Sequence, residues 1–110
     1  MLYALVLYKV ITLHAWERTQ ASDRVFLTDA DTAFIHFSEK EDVERIRKKF
    51  FSTEPTVVIL EVDASRLPGR MVKEKNPGGQ KEYYHLYGGF LPRSAIASHQ
   101  IVENPRSISQ

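Results

Sequence analysis

The sequence predicts an α+β domain in which a small antiparallel sheet, curved or split, packs against one main helix. Strand-like runs outnumber helical ones, only one segment has strong helical periodicity, and a continuous apolar run follows Pro55. Several short strands with a single amphipathic helix are typical of this class. We therefore expect one domain over residues 1–103 and a polar C-terminal tail over 104–110.

The strands are predicted where aromatic and β-branched residues cluster. The most apolar of these runs, 56–63, indicates a central strand that is buried on both faces. A brief further strand is expected over 25–27, and a turn over 29–32. The remaining predicted strands cover 2–11, 33–37, 71–74, 83–87 and 97–102.

A short helix is predicted over 13–19, with Thr12 as its N-cap and Trp16 as its buried anchor. The main helix is predicted to begin at Ser38, because Ser38 and Glu41 have the spacing of a capping box. Acidic residues lie early in this helix and basic residues late, which complements the helix dipole. We therefore interpret the basic run 45–49 as a solvated helix end and not as a nucleic-acid patch.

Composition excludes several classes of function. The chain has 110 residues, a net charge of +1 and no cysteine, so disulfides, thiolate metal sites and a cysteine nucleophile are excluded. The absence of cysteine suits a reducing cytosol, and we expect a cytoplasmic protein. The apolar start, 1–8, lacks a positive leading region and is too short to span a membrane, which favours a buried first strand and no membrane association.

Two strand-like runs carry a histidine each and are the best candidates for a ligand site. Side chains alternate along a strand, so His36 shares its face with Phe34 and Ser38, and His85 lies between Tyr83 and Tyr87. Imidazoles beside aromatic rings can bind a polar ligand that carries a ring. They can equally be core residues with satisfied hydrogen bonds.

Neighbouring residues extend or limit this site. Gly88 and Gly89 follow Tyr87 and allow a tight turn or the close approach of a ligand. A metal site is not expected, because no two of the four histidines have the H-x-x-x-H spacing. Glu61, Asp63 and Glu74 could each act as an acid or a base, but we interpret them as solvated or salt-bridged carboxylates.

The order and spacing of several short motifs resemble the bacterial domain of unknown function 952 family from about Tyr8 to Val102. The matching pieces are Tyr8-Lys9-Val10-Ile11-Thr12 with Trp16, Phe34-Ile35-His36-Phe37-Ser38, Leu60-Glu61-Val62-Asp63 with Leu67, and Tyr84-His85-Leu86-Tyr87-Gly88 with Leu91-Pro92. That family is similar to a minimal ADP-ribosyltransferase, in which a cleft between two small antiparallel sheets holds NAD.

The resemblance implies a nucleotide pocket that collects residues from the first strand and from both histidine strands. His36, His85 and Tyr87 would then be the catalytic residues, with His85 orienting the ribose or the leaving group. NAD would be the substrate, and transfer of ADP-ribose or a related group would be the reaction. The ligand-binding residues implied are Lys9, Thr12, Ser38, Tyr83 and Gly88.

The chain departs from the family pattern at two places. The family usually has histidine where this chain has Lys9, and a lysine would contact phosphate as a point charge. The acidic residue that many ADP-ribosyltransferases place late in the chain has no counterpart after Tyr87. Three functions therefore stay open: a transferase with an unidentified protein or nucleic-acid acceptor, a binder of a small ligand without turnover, and a protein-interaction module.

Overall fold

A computed structural model describes residues 5–104 and confirms the α+β class, with the sheet split in two. Both sheets have three strands, and every strand pair is antiparallel. The strands are β1 (Val6–Thr12), β2 (Ile35–Phe37), β3 (Thr56–Asp63), β4 (Arg70–Lys75), β5 (Glu82–Tyr87) and β6 (Ile96–Glu103). The helices are α1 (Leu13–Thr19) and α2 (Val43–Phe50), and single turns of 3₁₀ helix cover Asp29–Asp31, Lys40–Asp42, Ala64–Arg66 and Arg93–Ala95.

The first sheet has the order β1-β3-β6, and the second has the order β2-β5-β4. The prediction that 56–63 is a central strand is confirmed. The side chains of Val57, Val58, Leu60 and Val62 in β3 are fully buried. Neighbours on both faces explain this burial, because the main core covers one face and α2 covers the other.

The main core lies between the two sheets. Leu7, Ile11 and Leu60 from the first sheet pack in one cluster with Ile35 and Leu86 from the second. A smaller cluster on the opposite face of the first sheet joins Val10 and Val57 to Val43 of α2. Burial of these aliphatic side chains is the main favourable contribution to folding.

The two sheets are joined where β1 passes the end of β2. The amide of Tyr8 donates to the carbonyl oxygen of Ser38 at 2.8 Å, and the amide of Ser38 donates back to Tyr8 at 2.9 Å. The Ser38 hydroxyl also donates to the Tyr8 carbonyl oxygen at 3.3 Å. These bonds fix the second sheet against the edge of the first.

The prediction that Ser38 caps the main helix is wrong. A turn of 3₁₀ helix, Lys40–Asp42, precedes α2, and neither has a side-chain N-cap hydrogen bond. The pairing with Tyr8 holds Ser38 in extended backbone and uses its hydroxyl, so strand pairing outcompetes the local cap. The order of charges is as predicted, with Glu44 in the first turn of α2 and Arg47 among the basic residues of the last.

The predictions for the smaller segments have mixed outcomes. Thr12 caps α1 as predicted, since its hydroxyl accepts a hydrogen bond from the amide of Ala15 at 3.0 Å. No strand forms over 25–27, although Val25 is buried and its amide donates to the carbonyl oxygen of Leu91 at 2.8 Å. Trp16 packs against the main core and is only partly buried.

Parts of the terminal predictions lie outside the described residues, namely 2–4 of the first strand and 105–110 of the tail. Asn104 is described, and its side-chain amide donates to the carbonyl oxygens of Phe51 at 2.8 Å and Glu54 at 2.6 Å. Within 5–104, neither α1 nor α2 has the length and apolar composition that crossing a bilayer requires.

Gly89 contacts another part of the backbone. A Cβ on Gly89 would overlap the carbonyl oxygen of Pro68, which precedes β4. Gly88 has a φ of +65°, but a Cβ there would meet no atom within 4 Å. Gly89 therefore permits a close approach between two segments of the chain, the one after β5 and the one before β4.

We predict that Gly89→Ala destabilises the fold by about 3 kcal/mol or more, because the clash is with backbone that cannot rotate away. Gly88→Ala is the matched control, and left-handed strain should cost it about 1–2 kcal/mol. The free energies of unfolding would be measured by urea denaturation. Equal losses in the two variants would contradict the proposed backbone contact.

Candidate functional site

The two histidine strands meet on the face of the second sheet that lies away from the main core. Ile35 and Phe37 point into that core, so His36 between them points to the opposite face. His36 is directly opposite His85 in the register of β2 and β5. Their ring centroids are 5.2 Å apart, with the rings in an edge-to-face arrangement.

We use the name histidine cluster for Phe34, His36, Glu74, His85 and Tyr87. Phe34 lies at its centre and contacts all three other rings. Its centroid is 4.1 Å from that of His85, which it stacks upon, 4.8 Å from that of His36 and 5.2 Å from that of Tyr87. The His85 side chain has no exposed surface, so Phe34 closes the cluster in this conformation.

Glu74 of β4 binds two members of the cluster through one oxygen. Its Oε2 accepts hydrogen bonds from His85 Nδ1 at 2.8 Å and from the Tyr87 hydroxyl. The bonds from Tyr87 and His85 lower the pKa of the Glu74 carboxyl, and the bond to Glu74 raises the pKa of the Tyr87 phenol. Glu74, whose side chain is 35% exposed, is therefore held ionised beside the rings of His85 and Tyr87.

The bond to Glu74 also assigns the tautomer of His85. An ionised carboxylate can only accept, so the hydrogen must be on Nδ1 of the imidazole. Nε2 of neutral His85 then has a free lone pair. It is buried, and it has no hydrogen-bond partner among the described residues.

His36 is held by a second carboxylate, that of Asp31. Asp31 Oδ1 accepts from the His36 amide at 2.9 Å, from His36 Nδ1 at 3.1 Å and from Lys9 Nζ at 3.0 Å. Burial alone would raise the pKa of Asp31, but the His36 hydrogen bonds and the Lys9 charge outweigh it and lower the pKa. The His36 side chain is 39% exposed, so this imidazole is accessible to solvent.

Lys9 is buried beneath His36. Its residue exposure is 7%, and Nζ also donates to the His36 carbonyl oxygen at 2.7 Å. Burial lowers the pKa of Lys9, and the neighbouring Asp31 charge opposes that shift. The ammonium group is committed to Asp31 and to the backbone and is screened from solvent in this structure, and the phosphate contact expected of Lys9 stays a prediction.

The other candidate residues occupy different places. Thr12 caps α1, and Ser38 pairs with Tyr8, so both hydroxyls have structural roles outside the histidine cluster. The Tyr83 ring lies beneath the guanidinium of Arg45, 5.6 Å from its centroid. Gly88 follows Tyr87 directly and is exposed at the end of β5.

Two site residues were missed by sequence reasoning. The sequence indicates only a turn at Asp31 and a solvated or salt-bridged carboxylate at Glu74, and it does not identify the histidine that either carboxylate binds. The turn 76–79 does provide a signal for Glu74, because a hairpin over 70–87 puts it opposite Tyr83 and on the face of His85. No comparable signal exists for Asp31, since its contacts to Lys9 and His36 depend on tertiary structure.

An open hollow of about 770 Å³ lies apart from the histidine cluster, between the end of α1 and the segment around Pro92. Its lining residues are Gln20, Ala21, Ser22, Asp23, Phe90, Pro92, Arg93 and Ser94. No group of three or more histidine, aspartate or glutamate side chains suited to a metal ion occurs within residues 5–104. The histidine cluster has an accessible imidazole in His36, whereas access to His85 requires Phe34 to move.

We predict that Lys9→Met destabilises the protein by about 3–5 kcal/mol, because it leaves the Asp31 carboxylate buried without its cation. The double variant Lys9→Met/Asp31→Asn removes both charges and should recover part of the loss. Thermal or urea unfolding of both single variants and the double variant gives the coupling energy. Strictly additive losses would contradict the buried ion pair.

We predict that the ionised Glu74 carboxylate stabilises the folded protein and that this contribution is lost in acid. Its folded pKa lies below the ordinary value of 4.5, so its contribution is complete above that pH. The contribution is lost as the pH falls through the lowered folded pKa. The unfolding free energy of Glu74→Gln should therefore fall less steeply than that of the native protein below pH 4.5. Parallel pH profiles would contradict the prediction.

Comparisons with known proteins show what this chain resembles. No curated protein matches the sequence. The crystal structure of protein CC0527 from Caulobacter crescentus is 26% identical with a TM-score of 0.75, over 90% of this chain and 87% of that one. The solution NMR structure of CC0527 is 27% identical with a TM-score of 0.73, over 89% and 84%. A family model described as "Protein of unknown function (DUF952)" matches residues 10–99, and the chain belongs to that family.

Proposed function

We propose that the histidine cluster binds a nucleotide of the NAD or ADP-ribose type and transfers ADP-ribose or a related group. The fold would then be a minimal form of the ADP-ribosyltransferase fold. The two small antiparallel sheets are joined at one edge, and both histidine strands lie in one of them. This arrangement is compatible with an ADP-ribosyltransferase-like fold. The proposal depends most on a single observation, the ionised Glu74 carboxylate in the cluster.

Cleavage of the bond between nicotinamide and ribose develops positive charge on the ribose. A fixed carboxylate placed against that charge stabilises the transition state without having to reorganise. Glu74 meets this requirement because Tyr87 and His85 hold it and lower its pKa. Glu74 would take the part of the acidic residue that is missing after Tyr87, from an earlier position in the sequence.

Other groups around the cluster suit the remaining parts of such a ligand. The Phe34 and Tyr87 rings offer flat surfaces for stacking. The guanidinium of exposed Arg70 lies 5.1 Å from the Tyr87 ring centroid and can contact phosphate, in place of the buried Lys9. His36 would contact the ligand through its exposed edge.

A second candidate is a domain of the same fold that binds a small ligand or a protein without turnover. One observation favours it: His85 is fully buried under Phe34, so a nucleotide cannot reach His85 in this conformation. Transfer requires the Phe34 ring to move aside, whereas binding at the exposed edge of His36 does not. The two candidates therefore differ in whether bound NAD is consumed.

The test of transfer is release of nicotinamide from NAD, followed by chromatography. We expect release by the native protein and a loss of about 100-fold or more in Glu74→Gln, because a charge that stabilises the transition state has been removed. His14→Ala changes an exposed histidine on α1 and is the matched control. Background release from the native protein, Glu74→Gln and His85→Ala alike would rule out catalysis.

Calorimetric titration with NAD and with ADP-ribose separates the two candidates. Binding that weakens in His36→Ala but is unchanged in His14→Ala, without release of nicotinamide, would support the second candidate. Failure of both compounds to bind the native protein would contradict a nucleotide site of either kind.

A further inference from the structure

The two imidazoles of the histidine cluster are held in the same way by different carboxylates. His36 donates its Nδ1 hydrogen to Asp31, and His85 donates its Nδ1 hydrogen to Glu74. In its neutral form each ring therefore has its lone pair on Nε2, and Nε2 of His85 is buried without a hydrogen-bond partner among the described residues. With ring centroids 5.2 Å apart, both can contact one small reacting group.

We propose that His36 and His85 form a general base and general acid pair that hydrolyses ribonucleoside 2′,3′-cyclic phosphates. Hydrolysis of a phosphodiester requires one group to take a proton from water and another to give a proton to the departing oxygen. Two carboxylate-bound imidazoles on one site supply both functions. This activity requires no nicotinamide cofactor and does not rest on the NAD-type function proposed above.

His36 is the base and His85 is the acid in this reaction. Nε2 of exposed His36 takes a proton from water as the water oxygen forms its bond to phosphorus. The bond between phosphorus and the 2′ oxygen breaks, and protonated His85 gives its Nε2 proton to that oxygen. The product is the 3′-monophosphate, and proton exchange with solvent restores both rings. The Glu74 carboxylate stabilises the His85 imidazolium before the transfer.

The surroundings of the cluster favour a small anionic substrate with a base. Arg70 provides an exposed guanidinium beside Tyr87, and the Phe34 and Tyr87 rings can stack on a base. The chain has a net charge of only +1, which gives no broad attraction for a long polyanion. The aromatic rings, the Arg70 guanidinium and the low net charge suit a cyclic mononucleotide better than a long RNA.

Access to His85 requires Phe34 to leave its stacked position. Phe34 precedes the first paired residue of β2, Ile35, so no ladder hydrogen bond holds it in the sheet. A rotation of its side chain exposes His85 without breaking the strand register. The base of the substrate can then occupy the place of the Phe34 ring.

The experiment incubates the native protein with 2′,3′-cyclic AMP and follows adenosine monophosphate by chromatography and phosphorus NMR. We expect hydrolysis of 2′,3′-cyclic AMP and none of 3′,5′-cyclic AMP, whose six-membered ring lacks the strain of the five-membered one. His36→Ala and His85→Ala should each lose about 100-fold or more of the rate, since each removes one proton-transfer group. His14→Ala, purified identically, should retain the native rate.

If His85→Ala fails to fold, Glu74→Gln tests the same group, because it preserves side-chain size while removing the charge that supports the imidazolium. Absence of hydrolysis by the native protein, or equal rates in the native protein and in folded His36→Ala, would overturn the proposal. Nicotinamide release from NAD is measured on the same preparations. Hydrolysis of the cyclic phosphate without that release supports this inference and contradicts ADP-ribosyl transfer, and the reverse result contradicts this inference alone.

Discussion

The buried Asp31 carboxylate is the interaction on which the rest of the site depends. It binds Lys9 from the first sheet and His36 from the second, close to the backbone bridge between Tyr8 and Ser38. Removing an ammonium and a carboxylate from water costs several kcal/mol per ion, so the pair is tolerated only when every partner is in place. A shift of either sheet would leave a buried charge without its partner, and this constraint fixes how the sheets meet.

The position of the histidine cluster follows from that constraint step by step. With His36 fixed by Asp31, the antiparallel register puts His85 directly opposite it. The same register continues through β5 to β4, where Glu74 is within reach of His85 and Tyr87. Because side chains alternate along each strand, Ile35 and Leu86 point into the core while both imidazoles point away from it. One sheet thus supplies core packing on one face and hydrogen-bonding groups on the other.

Local patterns predicted most of the elements, and contacts distant in sequence account for what they missed. The cap at Thr12 and the central strand β3 follow from neighbouring residues and were confirmed. Ser38 had an equally good local cap signal, but its pairing with Tyr8, 30 residues away, prevailed. The sequence predicts that Lys9 reaches a ligand, because no local pattern indicates its ion pair with Asp31. The sequence could suggest that the histidine strands share a site, but not which carboxylates would orient the rings.

Closure of the cluster by Phe34 brings one specific contact and one specific cost. Stacking of Phe34 on His85 contributes about 0.5–1.5 kcal/mol beyond the area that it buries. The same closure buries Nε2 of His85 without a partner in the described structure, and an unsatisfied polar group costs about 1–3 kcal/mol. These contributions are similar in size and opposite in sign. A ligand that replaces the Phe34 ring with a flat group and also offers a hydrogen-bond partner to Nε2 would keep the stacking and remove the cost. Both proposed reactions therefore depend on the same movement of Phe34. They differ in the bond that is broken, which is the bond between nicotinamide and ribose in one and the bond between phosphorus and the 2′ oxygen in the other.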